Sequence, residues 1–207
     1  MRRYDESRTC LRWYFEHRED AYQMNRIDYG KAIFRVFCDA SDVNERTGKT
    51  RIAWYCFIGD GTNWTCMSSR ASIVSQVKTA TYGFEIRCIL EGFERCMALY
   101  RMAKNAGVEF VGPSEFVGDY EVLMKVIAGG SLKEKSRTLK KKHWMIRTAY
   151  FNGRVRIGWI NGDDNPADIA TKLVSAKVYW RHYRVIQFGE GMPEDKIVWF
   201  DINNLEV

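Results

Sequence analysis

The chain has few of the features that interrupt a fold or carry it across a membrane. Its 207 residues include only three prolines, no low-complexity tract and no uninterrupted apolar run long enough to cross a bilayer. The first residues lack the apolar stretch of a secretion signal. Because 46% of the residues are hydrophobic, the chain can bury one sizeable core. We therefore expect an intracellular protein, cytoplasmic or nuclear, with one principal domain and no membrane partner.

The cysteines also lack the spacing of a metal site or a disulfide framework. No two of them form a C-x-x-C pair, and all lie in apolar settings typical of strands or helices. We predict that they are buried thiols in a reducing compartment. The six are Cys10, Cys38, Cys56, Cys66, Cys88 and Cys96.

Positive charge is concentrated in one part of the chain. Between positions 133 and 156 lie nine of the 32 Lys and Arg but only one of the 26 Asp and Glu. This basic segment suits a polyanionic partner such as nucleic acid, although a solvated helix face would also explain it. His143 could contact a phosphate, assist proton transfer or hold structure by a hydrogen bond. The predicted substrate-binding residues are Arg137, Lys140, Lys141, Lys142, His143 and Arg147.

The hydrophobic pattern predicts an α/β fold. Three β-type runs at 33–38, 51–58 and 63–67 are separated by glycine-containing turns, which indicates an antiparallel meander. Apolar residues then recur every three or four positions over 79–104, the period of a helix packed on a sheet. Two further strands follow at 115–117 and 155–160, with helices over 120–128, much of 131–151 and after 165. We predict a mixed five-stranded sheet, an antiparallel meander plus parallel strands, with helices on both faces.

The same pattern divides the chain into three parts. Residues 1–32 mix aromatic and charged residues and are predicted to be an N-terminal extension. Residues 33–189 carry the alternating strands and helices of the principal domain. Residues 190–207 are predicted to be a C-terminal extension.

Four carboxylates occupy similar positions in this predicted fold. Asp39 and Asp119 each follow a strand, Glu85 lies in the long helix, and Asp168 lies just inside a helix that follows the last strand. Taken singly, these side chains could form turn hydrogen bonds, cap helices or be solvated. Because catalytic groups in such folds collect at strand ends, the four acids could instead converge on one divalent-metal site. Two ions about 4 Å apart can activate water and stabilise the leaving oxygen of a phosphodiester.

The segment Asn165-Pro166-Ala167-Asp168-Ile169-Ala170-Thr171-Lys172 resembles the closing N-P-A-D-x-x-T-K signature of the ribonuclease H domain in copia-type retrotransposon polyproteins. Other motifs of that family occur in the same order over about residues 35–175. Phe37-Cys38-Asp39-Ala40 is similar to its Y-x-D-A, Phe84-Glu85 to the second acid of S-T-E-A-E-Y, and Val117-Gly118-Asp119 to x-G-D-N. Leu11-Arg12-Trp13-Tyr14 is similar to the R-Y-L motif that connects reverse transcriptase to ribonuclease H.

The resemblance implies a ribonuclease H-like fold and a metal-dependent endonuclease acting on the RNA strand of RNA–DNA hybrids. It places the catalytic and metal-binding roles on Asp39, Glu85, Asp119 and Asp168, with two Mg²⁺ ions and with Mn²⁺ as a substitute. It also implies that the N-terminal extension is a remnant of the connection to a reverse transcriptase of the same polyprotein, a possible partner.

The chain departs from the family pattern next to two of the acids. Tyr82-Gly83-Phe84 replaces the usual approach to the helix acid, and Tyr120 stands where the family has Asn. These departures motivate an alternative, a catalytically degenerate ribonuclease H-like module that binds nucleic acid or a protein partner. A third possibility is another nuclease or transposase-like member of the same superfold.

Overall fold

The computed structural model describes residues 24–41, 50–74, 81–129 and 137–201. Strands and helices alternate along the chain much as the hydrophobic pattern predicts. The strands are β1 (Ile33–Ala40), β2 (Thr50–Gly59), β3 (Trp64–Val74), β4 (Ser114–Gly118), β5 (Val155–Trp159) and β6 (Val198–Trp199). The helices are α1 (Thr81–Asn105), α2 (Glu121–Ala128), α3 (Arg137–Phe151), α4 (Asp168–Thr171) and α5 (Ala176–Phe188).

The strands form one mixed sheet in the order β3-β2-β1-β4-β5-β6. The first three strands make an antiparallel meander, and β4 and β5 add to it in parallel. This confirms the predicted mixed sheet, an antiparallel meander plus parallel strands. Within the described residues the sheet has six strands in place of the predicted five, because the two-residue strand β6 pairs antiparallel with β5. Strand β6 lies within the predicted C-terminal extension, residues 190–207, so part of that extension belongs to the sheet.

Helices cover both faces of the sheet, as predicted. Successive side chains of a strand point to opposite faces. In β1, Phe34 and Val36 therefore join the larger core beneath α1, which contributes Ile86 and Leu90. Phe37 faces the other way and packs in a second core with Val185 of α5. Strand β1 is buried over nearly its whole length, as expected for a central strand with both faces covered.

A buried arginine fastens the segment before β6 to the middle of the sheet. Arg35 of β1 donates from Nε and Nη2 to Oε2 of Glu115 on β4, at 2.8 and 2.6 Å. Its Nη1 donates to Oε1 of Glu194 at 2.5 Å, and its guanidinium lies 4.4 Å from the ring centroid of Trp64. Only 3% of Arg35 is exposed, so this charge is stabilised by its partners in place of water.

Helix α5 ends at a glycine that allows a close backbone contact with β3. Gly189 has φ +68°, and its N–H donates to the carbonyl oxygens of Arg184 and Val185. A Cβ at this position would overlap the carbonyl oxygen of Trp64. A side chain there would therefore separate α5 from the sheet.

Five of the six cysteines lie in the described part of the chain. All five are buried and none of the five forms a disulfide, in agreement with the predicted buried thiols. Cys10, like the Leu11-Arg12-Trp13-Tyr14 motif, lies outside the described residues. Within the described part, no helix combines the length and the apolar character needed to span a bilayer.

Candidate metal centre and nucleic-acid interface

Two of the predicted acids lie side by side at the ends of neighbouring parallel strands. The last paired positions of β1 and β4 are Cys38 and Gly118, and Asp39 and Asp119 follow them directly. Because side chains alternate along both strands, the two acids project to the same side. Asp39 is fully buried. The carbonyl oxygen of Asp119 accepts a hydrogen bond from the Trp159 indole at 2.9 Å, which fixes its backbone to β5.

Helix α1 brings the third acid to the same place. Glu85 lies in the first turns of α1 and only 4% of it is exposed. About one turn further on, the Cys88 thiol contacts the carbonyl oxygens of Asp39 and Ala53, at 3.3 and 3.0 Å, which holds α1 against β1 and β2. One carboxylate oxygen from each of Asp39, Glu85 and Asp119 lies within 4.8 Å of the other two.

The fourth acid, Asp168, begins α4 beside this group of three. The segment before it is locked to β1, because Asn165 donates from Nδ2 to the carbonyl oxygen of Cys38 at 2.9 Å. The Oδ1 of the same amide accepts from the N–H of Ala167 at 3.1 Å. At the other end of α4, the Thr171 hydroxyl donates to the Asp39 carboxylate. One local hydrogen bond and two long-range bonds to β1 thus hold α4 at the end of β1.

A lysine joins the four-acid site from one helical turn after Asp168. The Nζ atom of Lys172 lies 3.1 Å from Asp39, 3.1 Å from Asp119 and 2.9 Å from Asp168. Its side chain is 37% exposed, so this ammonium can exchange its contacts for water. Lys172 therefore neutralises part of the negative charge that the three aspartates concentrate.

The acids have unusual proton affinities because they are buried together. Burial first, and then the charge of neighbouring acids, raises the pKa of Asp168 to about 7 and that of Asp119 to about 6. The same two causes raise the pKa of Glu85 well above its ordinary value. Burial alone would lower the pKa of Lys172, but the three carboxylates together outweigh it and raise that pKa. The site therefore favours a bound cation, or a proton, over bare negative charge.

The donor set fits a hard divalent ion. Mg²⁺ prefers carboxylate oxygens and retains several waters, so it needs only a few protein ligands. Three carboxylate oxygens within 4.8 Å of one another, with a fourth acid adjacent, meet this requirement. The mutual repulsion that raises the pKa values of Asp119 and Asp168 would be relieved by such an ion.

The predicted substrate-binding residues lie on α3, with different exposures. Lys140 and Lys141 are exposed to solvent. Arg147 is partly buried and donates from Nη2 to the carbonyl oxygen of Gly129 at 3.0 Å. The side chains of the other two predicted basic residues, Arg137 and Lys142, lie outside the described residues.

His143 is placed differently from Lys140, Lys141 and Arg147, the predicted companions whose side chains are described. It is fully buried, and burial lowers the pKa of its imidazole. A side chain in this position cannot reach a phosphate on the surface of α3. We therefore remove His143 from the candidate interface and assign it a structural role in the packing of α3, in place of the phosphate contact or proton transfer that the sequence also allowed.

Three residues of the site were not assigned a role from the sequence, although all three lie in the N-P-A-D-x-x-T-K segment. They are Asn165, Thr171 and Lys172. A usable signal existed for Lys172, because a spacing of four residues from Asp168 puts the two on one face of a helix. For Asn165 and Thr171 the partners lie on β1, more than 120 positions away, which local spacing does not reveal.

Comparisons with known proteins find only distant similarity. No family model and no curated protein matches the chain. Among solved structures, ribonuclease H1 from the halophilic archaeon Halobacterium salinarum is 13% identical with a TM-score of 0.48, over 67% of this chain and 93% of that one. LC11-RNase H1, isolated from compost and solved in complex with an RNA/DNA hybrid, is 19% identical with a TM-score of 0.45. The match covers 68% of this chain and 94% of that one. The foamy viral protease-reverse transcriptase is 12% identical with a TM-score of 0.42, and the match covers 76% of this chain and 21% of that one. Identities this low do not transfer an activity.

Proposed function

We propose that this chain is a metal-dependent endonuclease that hydrolyses the RNA strand of RNA–DNA hybrids, as the ribonuclease H domain of a copia-type retrotransposon polyprotein does. The observation that carries the proposal is the meeting of Asp39, Glu85 and Asp119, three acids from three separate elements, within 4.8 Å of one another. Such a concentration of buried negative charge is costly to a fold and is typical of a site that binds cations.

The proposed metal ligands are Asp39, Glu85, Asp119 and Asp168. Two divalent ions held there, Mg²⁺ or Mn²⁺, would supply Lewis-acid stabilisation of phosphoryl oxygens and lower the pKa of water. The protein contributes the fixed geometry. Asn165 and Thr171 hold α4 on β1, so that Asp168 stays beside Asp39. Lys172 lies close enough to three of the acids to balance their charge before an ion enters.

The basic segment on α3 supports a nucleic-acid substrate. Lys140 and Lys141 are exposed and can neutralise backbone phosphates, and the sequence adds Arg137 and Lys142 on the same helix. Contacts of this kind position a duplex without reading its sequence. Choice of a hybrid would then depend on groove shape and on the 2′-hydroxyl groups of the RNA strand. The reverse transcriptase part of the same polyprotein remains the proposed protein partner.

The proposal is tested by the substitution Asp39→Asn, which keeps the shape of the side chain and removes its charge. We expect the rate of Mg²⁺-dependent hybrid cleavage to fall by at least about 100-fold, while the thermal unfolding midpoint and the affinity for the hybrid without metal are retained. Asp163→Asn is a matched control, because Asp163 is an exposed acid in the loop before α4. Cleavage at the normal rate by the Asp39→Asn protein would contradict the proposal.

The second candidate is a nucleic-acid-binding module without catalysis. The observation that favours it is Lys172, whose ammonium already satisfies three of the acids and could stand permanently in place of a metal. Hybrid affinity that does not respond to Mg²⁺, together with no cleavage in Mg²⁺ or Mn²⁺, would select this candidate. Cleavage of duplex DNA in preference to the hybrid would instead select another nuclease of the same superfold.

A further inference from the structure

A groove runs between the second half of α1 and helix α3, away from the acids. Two adjoining cavities of about 620 and 550 Å³ form it, and they share the lining residues Met97, Arg101 and Arg154. At 1.5 Å per helical residue, Met97 lies about 18 Å along α1 from Glu85. The groove is therefore a feature separate from the candidate metal centre.

The lining of the groove is strongly cationic. Four basic side chains line it, Arg101, Lys104, Lys141 and Arg154, against one acid, Glu94. Among the described residues, none of the four basic side chains takes part in an ion pair. Unpaired cations that share a concave surface attract a polyanion, because the charge is not cancelled within the protein.

Flat apolar surface alternates with these cations. Trp144 of α3 lies at the groove and is 57% exposed, and its neighbour Met145 is 51% exposed. Further along, Tyr100 and Phe110 are stacked with ring centroids 4.3 Å apart, and both line the first cavity. Large exposed aromatic and apolar side chains grouped in this way mark a binding surface.

We propose that this groove binds single-stranded nucleic acid, with bases stacked on Trp144 and with phosphates neutralised by Arg101, Lys141 and Arg154. A positively charged groove that contains aromatic platforms is the arrangement by which proteins hold single strands without sequence preference. The inference rests on the proposed function only in taking nucleic acid as the ligand. A strand released from the hybrid would then have a second binding site on the enzyme.

The observations favour a single strand over a duplex or an acidic peptide. The Arg147 guanidinium lies 5.4 Å from the centroid of the Trp144 ring, which remains 57% exposed. A duplex keeps its bases stacked inside, so it would bring no base to stack on this exposed ring. An acidic peptide matches the charge, but it does not by itself require an accessible flat ring beside the cations. Peptide binding is therefore the competing outcome of the experiment.

The experiment measures binding of a fluorescein-labelled oligothymidylate of about 12 nucleotides to the full chain in EDTA. We expect Trp144→Ala to weaken binding about tenfold, the effect of losing one stacked base. Trp180→Ala is the matched control, because Trp180 is 59% exposed but lies on α5. The control protein should bind like the parent chain, and both variants should keep the parent's unfolding temperature because both rings are largely exposed.

Salt dependence separates stacking from phosphate contacts. The paired substitution of Arg101→Gln and Arg154→Gln should reduce the slope of log affinity against log salt by about 1.4, since each phosphate contact on a single strand contributes about 0.7. Trp144→Ala should weaken binding without changing that slope. A matched control for the charge is Lys31→Gln, because Lys31 is exposed outside the groove.

Three results would overturn the inference. One is that Trp144→Ala leaves the affinity for oligothymidylate unchanged. Another is that Trp180→Ala weakens this binding as much as Trp144→Ala does. The third is tighter, Trp144-dependent binding of a glutamate- and leucine-rich peptide, which would assign the groove to a protein partner. The assay contains no divalent metal. Failure of the endonuclease proposal, seen as no hybrid cleavage by the parent chain or as normal cleavage by the Asp39→Asn protein, therefore does not affect its result.

Discussion

Lys172 offers the most direct test of how the acids are balanced without metal. We consider Lys172→Met, which keeps the apolar stem of the side chain and removes the ammonium that contacts Asp39, Asp119 and Asp168 at 2.9–3.1 Å. The variant leaves buried carboxylates without their cation. Breaking a fully buried ion pair costs roughly 3–5 kcal/mol. Because the Lys172 side chain is 37% exposed, solvent screening reduces this to about 2 kcal/mol of unfolding free energy.

The assay is thermal unfolding with and without a divalent ion. For a chain of this size, a loss of about 2 kcal/mol lowers the unfolding midpoint by about 4–8 °C in EDTA. Adding Mg²⁺ should then raise the midpoint of the Lys172→Met protein by more than that of the parent chain, because the ion no longer has to displace an ammonium. Lys177→Met is the control, since Lys177 is exposed and the substitution should change stability by less than about 0.5 kcal/mol.

Two results would refute this reasoning. If the Lys172→Met protein were as stable as the parent chain in EDTA, the ammonium would not be balancing the acids. If Mg²⁺ stabilised both proteins equally, the lysine and the ion would not compete for the same carboxylates. Either result would also remove the observation that favours a non-catalytic module.

Two further predictions concern stability. Arg35→Met should lower the unfolding free energy in urea by roughly 3–5 kcal/mol, because the buried Glu115 then keeps only its longer contact with Arg156, at 3.7 Å. Adding Glu115→Leu should recover much of the loss, and a loss below about 1 kcal/mol would show that this network contributes little. Gly59→Ala should cost roughly 1–3 kcal/mol, because its Cβ would lie 2.5 Å from Cε3 of Trp64. Gly112→Ala, where a Cβ meets nothing within 4 Å, serves as the control, and equal stability of the two variants would contradict the packing described at Gly59.

Elements with a strong local pattern were predictable from the sequence. The runs at 33–38 and 51–58 became β1 and β2, with boundaries shifted by one or two residues, and the periodic stretch 79–104 became α1. Strand β3 is longer than predicted and ends at Val74, because its exposed half pairs with β2 without being apolar throughout. Strand β6 was missed since two residues carry no periodicity, and its pairing with β5 decides its conformation.

Partners that lie far apart in the chain could not be predicted in the same way. Arg35 lies in an apolar strand, and its partner Glu115 is 80 positions away. His143 lies within the basic segment, yet the helix turns it into the core. For both residues the type of side chain does not predict whether it is buried, because burial of a polar group depends on which partners the fold provides.

The sequence by itself determined the types and order of the elements, since apolar periodicity and turn residues act over a few neighbouring positions. The local pattern also put each of the four acids at the end of a strand or in a helix, and the motif resemblance implied their proposed role as metal ligands. Only the tertiary structure decided that Asp39, Glu85 and Asp119 meet within 4.8 Å and that Lys172 lies among the aspartates. Those contacts join residues from separate elements, and their electrostatic energy depends on distances and burial that exist only once the sheet has formed.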